Sequence, residues 1–112
     1  MKETRRYLLD FVKQLERIGE FTADGYEIFK QDDKTQYAVI RAYEIIGEII
    51  KRLPSEIRDQ HPEINWRKLV HFRDFIAHNY DQVIEKYVWD AVEDSPNLKS
   101  AVEAMLKDIP DD

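Results

Sequence analysis

The sequence predicts an all-α fold, an antiparallel bundle of four to six helices, and three observations predict it. Apolar residues recur at steps of three and four along most of the 112 residues, as on one face of a helix. Only three glycines and four prolines interrupt the pattern. No run of about four to eight residues alternates as a half-buried strand bounded by turns would.

Leu8, Phe11, Val12, Leu15 and Ile18 form the apolar face of a first helix. Gly19 loosens its end, Asp24-Gly25 marks a turn, and a short helical piece follows over Tyr26–Phe29. The next helix is the longest and most apolar. Asp33, with Gln36 three residues on, reads as a capping box with Asp in the Ser/Thr place. Val39, Tyr43, Ile46 and Ile50 make one stripe, and Ala38, Ala42, Ile45 and Ile49 make a second. A helix apolar on two sides is either the centre of a bundle or the seam of a dimer. Pro54 ends it, because the residue before a proline resists helical geometry. Ser55 is expected to cap a short helix through Asp59, and His61-Pro62 breaks the chain again. Asn65 is a good N-cap for a helix from Trp66 to about Ala77. Ile84, Tyr87, Val88 and Ala91 define another helix. Ser95-Pro96 is expected to supply the cap and first-turn proline of a last one, with Leu98, Ala101, Val102, Met105 and Ile109 inward.

One domain is expected over residues 1–112, long enough to bury roughly two-thirds of its unfolded surface. The chain has no cysteine, which excludes disulfides, zinc–thiolate sites and cysteine nucleophiles and suits a cytoplasmic protein. No apolar run is long enough to span a membrane, and the charged start Met1–Arg6 does not read as a secretory leader. Net charge is −6, which argues against nucleic-acid binding through the overall field. The charge is uneven, however. From Arg41 to Arg73 seven basic residues meet five acidic ones. The acidic end with Asp108, Asp111 and Asp112 reads as a solvated run.

The helix beginning at Trp66 carries the chemistry. Its inward stripe runs Trp66, Leu69/Val70, residue 73, Ile76/Ala77, and residue 73 is an arginine. An arginine there needs a partner or a wet cleft. A salt bridge to Glu44 or Glu48 is the plain expectation. His78 lies five residues on, about 140° around an uninterrupted helix, so Arg73 and His78 would not face one site. Either the helix ends or distorts near Ala77, or the two act with copies from a second subunit. Asp74 and His78 are four apart, where a carboxylate would orient the imidazole and favour its protonated form. Tyr80 falls seven after Arg73. A histidine that moves a proton and an arginine that holds a phosphate suffice for metal-free RNA cleavage by 2′-hydroxyl attack, which leaves a cyclic phosphate. The plain alternative for His78 is a surface histidine stabilised by the helix dipole. His71, Asp74 and His78, at i, i+3 and i+7, could instead form a three-ligand metal face. No second ligand motif accompanies them, and neither metal nor cofactor is expected.

Arg73-Asp74-Phe75-Ile76-Ala77-His78-Asn79-Tyr80 resembles the R-x4-H-x-Y motif of HEPN-domain proteins, and most closely that of the HepT-like toxins encoded beside a small MNT-type nucleotidyltransferase. Thr35–Glu48 is similar to the family's long central helix, Ile64–Arg67 to its approach to the motif, and Val88-Trp89-Asp90 to the segment after it. The resemblance implies a homodimeric HEPN-like bundle whose motif helices meet across a cleft. It implies a metal-independent ribonuclease toxin of a type VII-like toxin–antitoxin pair, acting on RNA such as tRNA. Arg73 and His78 would then be the catalytic pair, and Asp74 would take the supporting polar position. Tyr80 would be the tyrosine that the nucleotidyltransferase modifies with AMP. RNA phosphates would meet a local basic patch, chiefly Arg41, Arg67 and Lys68, with Lys51 and Arg52 nearby. The alternative within the family is a non-catalytic subunit that binds nucleotide or RNA and docks the nucleotidyltransferase.

Overall fold

The computed structural model describes residues 2–79 and 85–110, and among these it contains six helices and no strand. They are α1 (Lys2–Phe21), α2 (Tyr26–Phe29), α3 (Asp33–Arg52), α4 (Ser55–Asp59), α5 (Trp66–His78) and α6 (Glu85–Lys107). Tyr80, Ile84, Asp111 and Asp112 lie outside the described residues. No described helix is long and apolar enough to cross a membrane.

Three boundaries differ from the sequence expectation, each for a local reason. The cap of α3 is Asp32, not Asp33. Asp32 is extended, and its carboxylate accepts both the Thr35 N–H (3.4 Å) and the Thr35 hydroxyl (2.8 Å). Gln36 reaches past the cap instead and donates to the Phe29 carbonyl at 2.9 Å, tying the end of α2 to α3. In α4, Ser55 is the first helical residue and makes no capping bond. Pro54 stands at the cap position, and its carbonyl accepts from Ile57 N–H at 3.1 Å.

The third difference is larger. The two C-terminal helices are one helix, with Pro96 inside it. A proline here lacks the N–H that would bond the Val92 carbonyl. The buried Ser95 hydroxyl donates to that carbonyl at 2.6 Å and takes over the missing bond. The Ser-Pro pair that looks like a helix start therefore repairs a helix interior.

The long helices lie in the order α6, α1, α3, α5, each packed on the next, with α2 against α3. The apolar surface of α3 is thereby shared between α1 and α5, so its two stripes belong to the centre of a bundle. Val39, Tyr43, Ile46, Ile49 and Ile50 are buried there, and Leu8, Phe11, Leu15 and Ile18 oppose them from α1. Arg5 fastens the start of α1 to the end of α6 by donating to the carbonyls of Leu106 (3.3 Å) and Ile109 (3.2 Å). The motif helix α5 packs mainly on α3, at one side of the bundle.

Candidate active site

Helix α5 is positioned from both ends. Asn65 caps it, its side-chain oxygen accepting Lys68 N–H at 3.0 Å. Next to the cap, Trp66 donates its indole N–H to the carbonyls of Arg58 (3.1 Å) and His61 (3.0 Å), and its ring meets Phe11 edge-on. Phe72 packs edge-on to Tyr43 and against Tyr87, and Phe75 also meets Tyr87. The aromatic residues away from Trp66 therefore pack on this chain's own α3 and α6. With Trp66, Phe72 and Ile76 buried, the rotation of α5 is fixed. Arg67, His71 and His78 face outward, and Arg73 falls at the margin between core and solvent.

The aliphatic stem of Arg73 lies on α3 at Gly47, a buried glycine. Its guanidinium emerges between two carboxylates. Nη1 donates to Asp74 at 3.0 Å and Nη2 to Glu48 at 3.4 Å, while the buried Nε–H has no partner. Of the two acids expected as partners, Glu48 is the one Arg73 uses. Glu44 faces Arg41, which also approaches Glu48 at 3.9 Å. Lys51 completes the set by donating to Asp74 at 3.2 Å. Five side chains thus alternate in sign across the α3–α5 contact: Arg41, Glu48, Arg73, Asp74, Lys51. The bond to Asp74 holds the Arg73 guanidinium above its already high range, against the opposing effect of burial. Arg73 first, then Lys51, holds the Asp74 carboxyl below the ordinary carboxylate range.

His78 ends α5, exposed, with Asn79 as C-cap. Its Nδ1 lies 2.8 Å from the main-chain carbonyl of Asp74. The expected carboxylate–imidazole contact is thus replaced by a carbonyl–imidazole contact, because the Asp74 carboxylate is drawn round the helix to Arg73 and Lys51. A carbonyl only accepts, so Nδ1 carries the proton in the neutral ring, and Nε2 keeps its lone pair and faces solvent. Asp74 therefore bears on both candidate groups, on Arg73 through its side chain and on His78 through its backbone.

The helix is continuous through His78, so Arg73 and His78 remain on different flanks of one chain. Of the residues expected as a basic patch, Arg67 and Lys68 line a common groove and Arg41 lines another. Arg67 also lines a groove of about 710 Å³ with Lys51, Arg58, His71 and Asp74. Lys68 shares a shallow groove with Arg67 and His71 beside Phe72 and Tyr87. Arg41 lies on the opposite side, near Ile76 and Ala77. Among the described residues, no three His, Asp or Glu side chains are grouped as metal ligands would be. The roles of three residues escaped sequence reasoning. Lys51 lies 23 residues from Asp74, and nothing in the spacing pairs them. Ser95 reads as a cap. Gly47 had a signal, since a glycine inside the longest helix is costly unless something approaches closely.

Comparison with known proteins bears on what this arrangement serves. A family model described as Ribonuclease HepT-like matches residues 11–105, which include every residue named in the site. The chain belongs to the HepT-like ribonuclease family. Its HepT-like relatives include "Probable ribonuclease HepT" of Thermococcus cleftensis, 44% identical over 96% of this chain and all of that protein. A "Putative RNase" of Methanocaldococcus jannaschii is 36% identical over 96% of this chain and 91% of its own length. A "Putative RNase" of Caldanaerobacter subterraneus subsp. tengcongensis is 31% identical over 96% and 97%. No solved structure gives a significant match. Membership of this HepT-like family supports ribonuclease chemistry on the helical fold described above.

The charge set of this HepT-like site has a pH signature. A carboxyl depressed in the folded state contributes stability that is complete above its unfolded pKa, about 4, and is lost as pH falls through the folded value. Asp74→Asn removes that contribution. Melting temperatures of parent and variant should differ most near neutrality and converge below about pH 4. A gap that stays constant with pH would show that the ionised carboxylate contributes nothing through these bonds.

Proposed function

We propose that the chain is the ribonuclease toxin of a type VII-like toxin–antitoxin pair. In this reading it is a homodimer that cuts RNA, tRNA being one candidate substrate, without a metal ion. It is silenced when an MNT-type nucleotidyltransferase attaches AMP to Tyr80. The observation that carries the reading is the unbroken α5, which sets Arg73 and His78 about 140° apart and ~7.5 Å along its axis. One copy presents the two groups on separate flanks. Two copies of α5 facing each other across a cleft bring both groups to one substrate.

The chemistry follows from the two side chains. His78 Nε2 takes the proton of an RNA 2′-hydroxyl while O2′ bonds to the adjacent phosphorus. The bond from phosphorus to the 5′-oxygen breaks, and that oxygen takes up a proton. The products are a cyclic phosphate and a 5′-hydroxyl. Arg73 has N–H donors beyond the two already engaged, and these meet the charge that builds on the phosphoryl oxygens. AMP on Tyr80, two residues after His78, would add negative charge and bulk where RNA phosphate must lie.

The test uses purified protein, shown by mass to be unmodified at Tyr80, incubated with total RNA in EDTA. Cleavage leaving cyclic phosphate ends is the expected result, from a protein that light scattering shows to be a dimer. No cleavage at any protein concentration would move the chain to the non-catalytic alternative, a nucleotide- or RNA-binding subunit of the nucleotidyltransferase.

A further inference from the structure

We propose that Gly47 is a positioning residue for Arg73: the missing side chain on α3 is the seat that holds the arginine stem at the core margin and sets where the guanidinium emerges. This deepens the reading above, since it rests on Arg73 being the group that meets phosphate.

The sequence observation is a glycine inside a 20-residue helix that is otherwise apolar on its covered faces. Its backbone dihedral is not of the left-handed kind, which among the glycines only Gly25 adopts. Chain conformation therefore does not require a glycine at 47. Space does. A Cβ built there would overlap Cβ and Cγ of Arg73 and lie 3.1 Å from its Cδ. The obstruction includes the root of the arginine side chain, which cannot swing aside as a flexible tip can. Any larger residue must push α5 outward or rotate it.

The neighbouring residue makes such a displacement consequential. Glu48 holds Nη2 from the same turn of α3, while Asp74 holds Nη1 from α5. The stem is thus fixed by Gly47 and the head by carboxylates on both helices. The unpartnered Nε–H is buried between them. Moving the stem by a carbon radius breaks this register, and displacements of about 1 Å in positioned groups can cost on the order of a hundredfold in rate.

Gly19 is the internal control. It also sits in a helix, yet nothing lies within 4 Å of the space its Cβ would fill. Gly19→Ala should fold and cleave as the parent does.

The experiment compares parent, Gly47→Ala and Gly19→Ala by thermal melting, by steady-state cleavage of one defined RNA, and by the Arg73 Nε–H signal in a ¹⁵N spectrum, assigned with Arg73→Lys. In a folded Gly47→Ala the Nε–H signal should shift or vanish, and kcat should fall about a hundredfold with KM within a few-fold. An unmoved Nε–H signal, or kcat within twofold of the parent, overturns the proposal. If Gly47→Ala does not fold, Arg73→Gly is added to remove the obstructing atoms. Recovery of the fold supports the seat, and continued unfolding where Arg73→Gly alone folds overturns it. A parent that cuts no RNA defeats the ribonuclease reading alone, because the Nε–H signal still decides whether Gly47 places Arg73.

Discussion

His78→Ala will fold, melt close to the parent, and cut RNA about a thousandfold more slowly, within the range usual for loss of a general base. The expectation of intact folding comes from the position of the side chain. His78 is exposed at the last turn of α5, and the contact described for its ring is the one to the Asp74 carbonyl. Changes at such sites usually stay within about 0.5 kcal/mol. The expectation for rate comes from the same contact. With Nδ1 committed to a carbonyl, the imidazole presents a basic Nε2 to substrate without first having to choose a tautomer. The comparison is made in EDTA with matched protein concentrations, following release of cyclic phosphate ends. Cleavage by the variant at the parental rate would remove His78 from the chemistry.

Arg73→Lys will keep the charge and most of the fold yet lose cleavage by about a hundredfold or more, the scale for losing an aligned donor to a developing oxyanion. Lysine has the same first carbons on the Gly47 surface, and its ammonium can still answer Glu48 and Asp74. It lacks the planar fork that engages two carboxylates while leaving N–H groups for a phosphate. Arg73→Ala would be a poorer test, since it leaves Glu48 and Asp74 facing one another without the cation between them. The measurement is kcat on a defined RNA together with a melting curve. A lysine variant with parental kcat would show that positive charge alone suffices at this position.

Much of this was legible in the chain. Leu8 to Ile18 and Val39 to Ile50 announce buried helix faces, and Asn65 announces the start of α5. Arg73 stands out because it interrupts an inward stripe, and its partner Glu48 was one of two foreseen. The failures share a cause. Each concerns a bond whose geometry depends on a neighbour that periodicity does not see. Asp32 outcompetes Asp33 as cap because Thr35 offers both a hydroxyl and an N–H to it. Ser95-Pro96 has the composition of a helix start, and only burial of Ser95 beside the Val92 carbonyl makes it a splice. Asp74 and His78 have the spacing of a carboxylate–imidazole pair, but Lys51 and Arg73 compete for the carboxylate. Gly47 needed the partner helix in place before its purpose showed.

The bond from Arg5 to the carbonyls of Leu106 and Ile109 has a consequence for how the molecule assembles. Contacts between α1 and α6 span almost the whole chain, whereas α3 meets α5 across the short α4 segment. Closing a longer loop costs more entropy before any contact rewards it. The pair of helices carrying Gly47, Glu48, Arg73 and Asp74 can therefore dock early, and α6 closes onto α1 last. Because α1 begins where α6 finishes, a short linker could join them and the chain could be reopened between α1 and α2. Such a permutant would turn its most distant pairing into a neighbouring one while leaving α3 through α5 uncut.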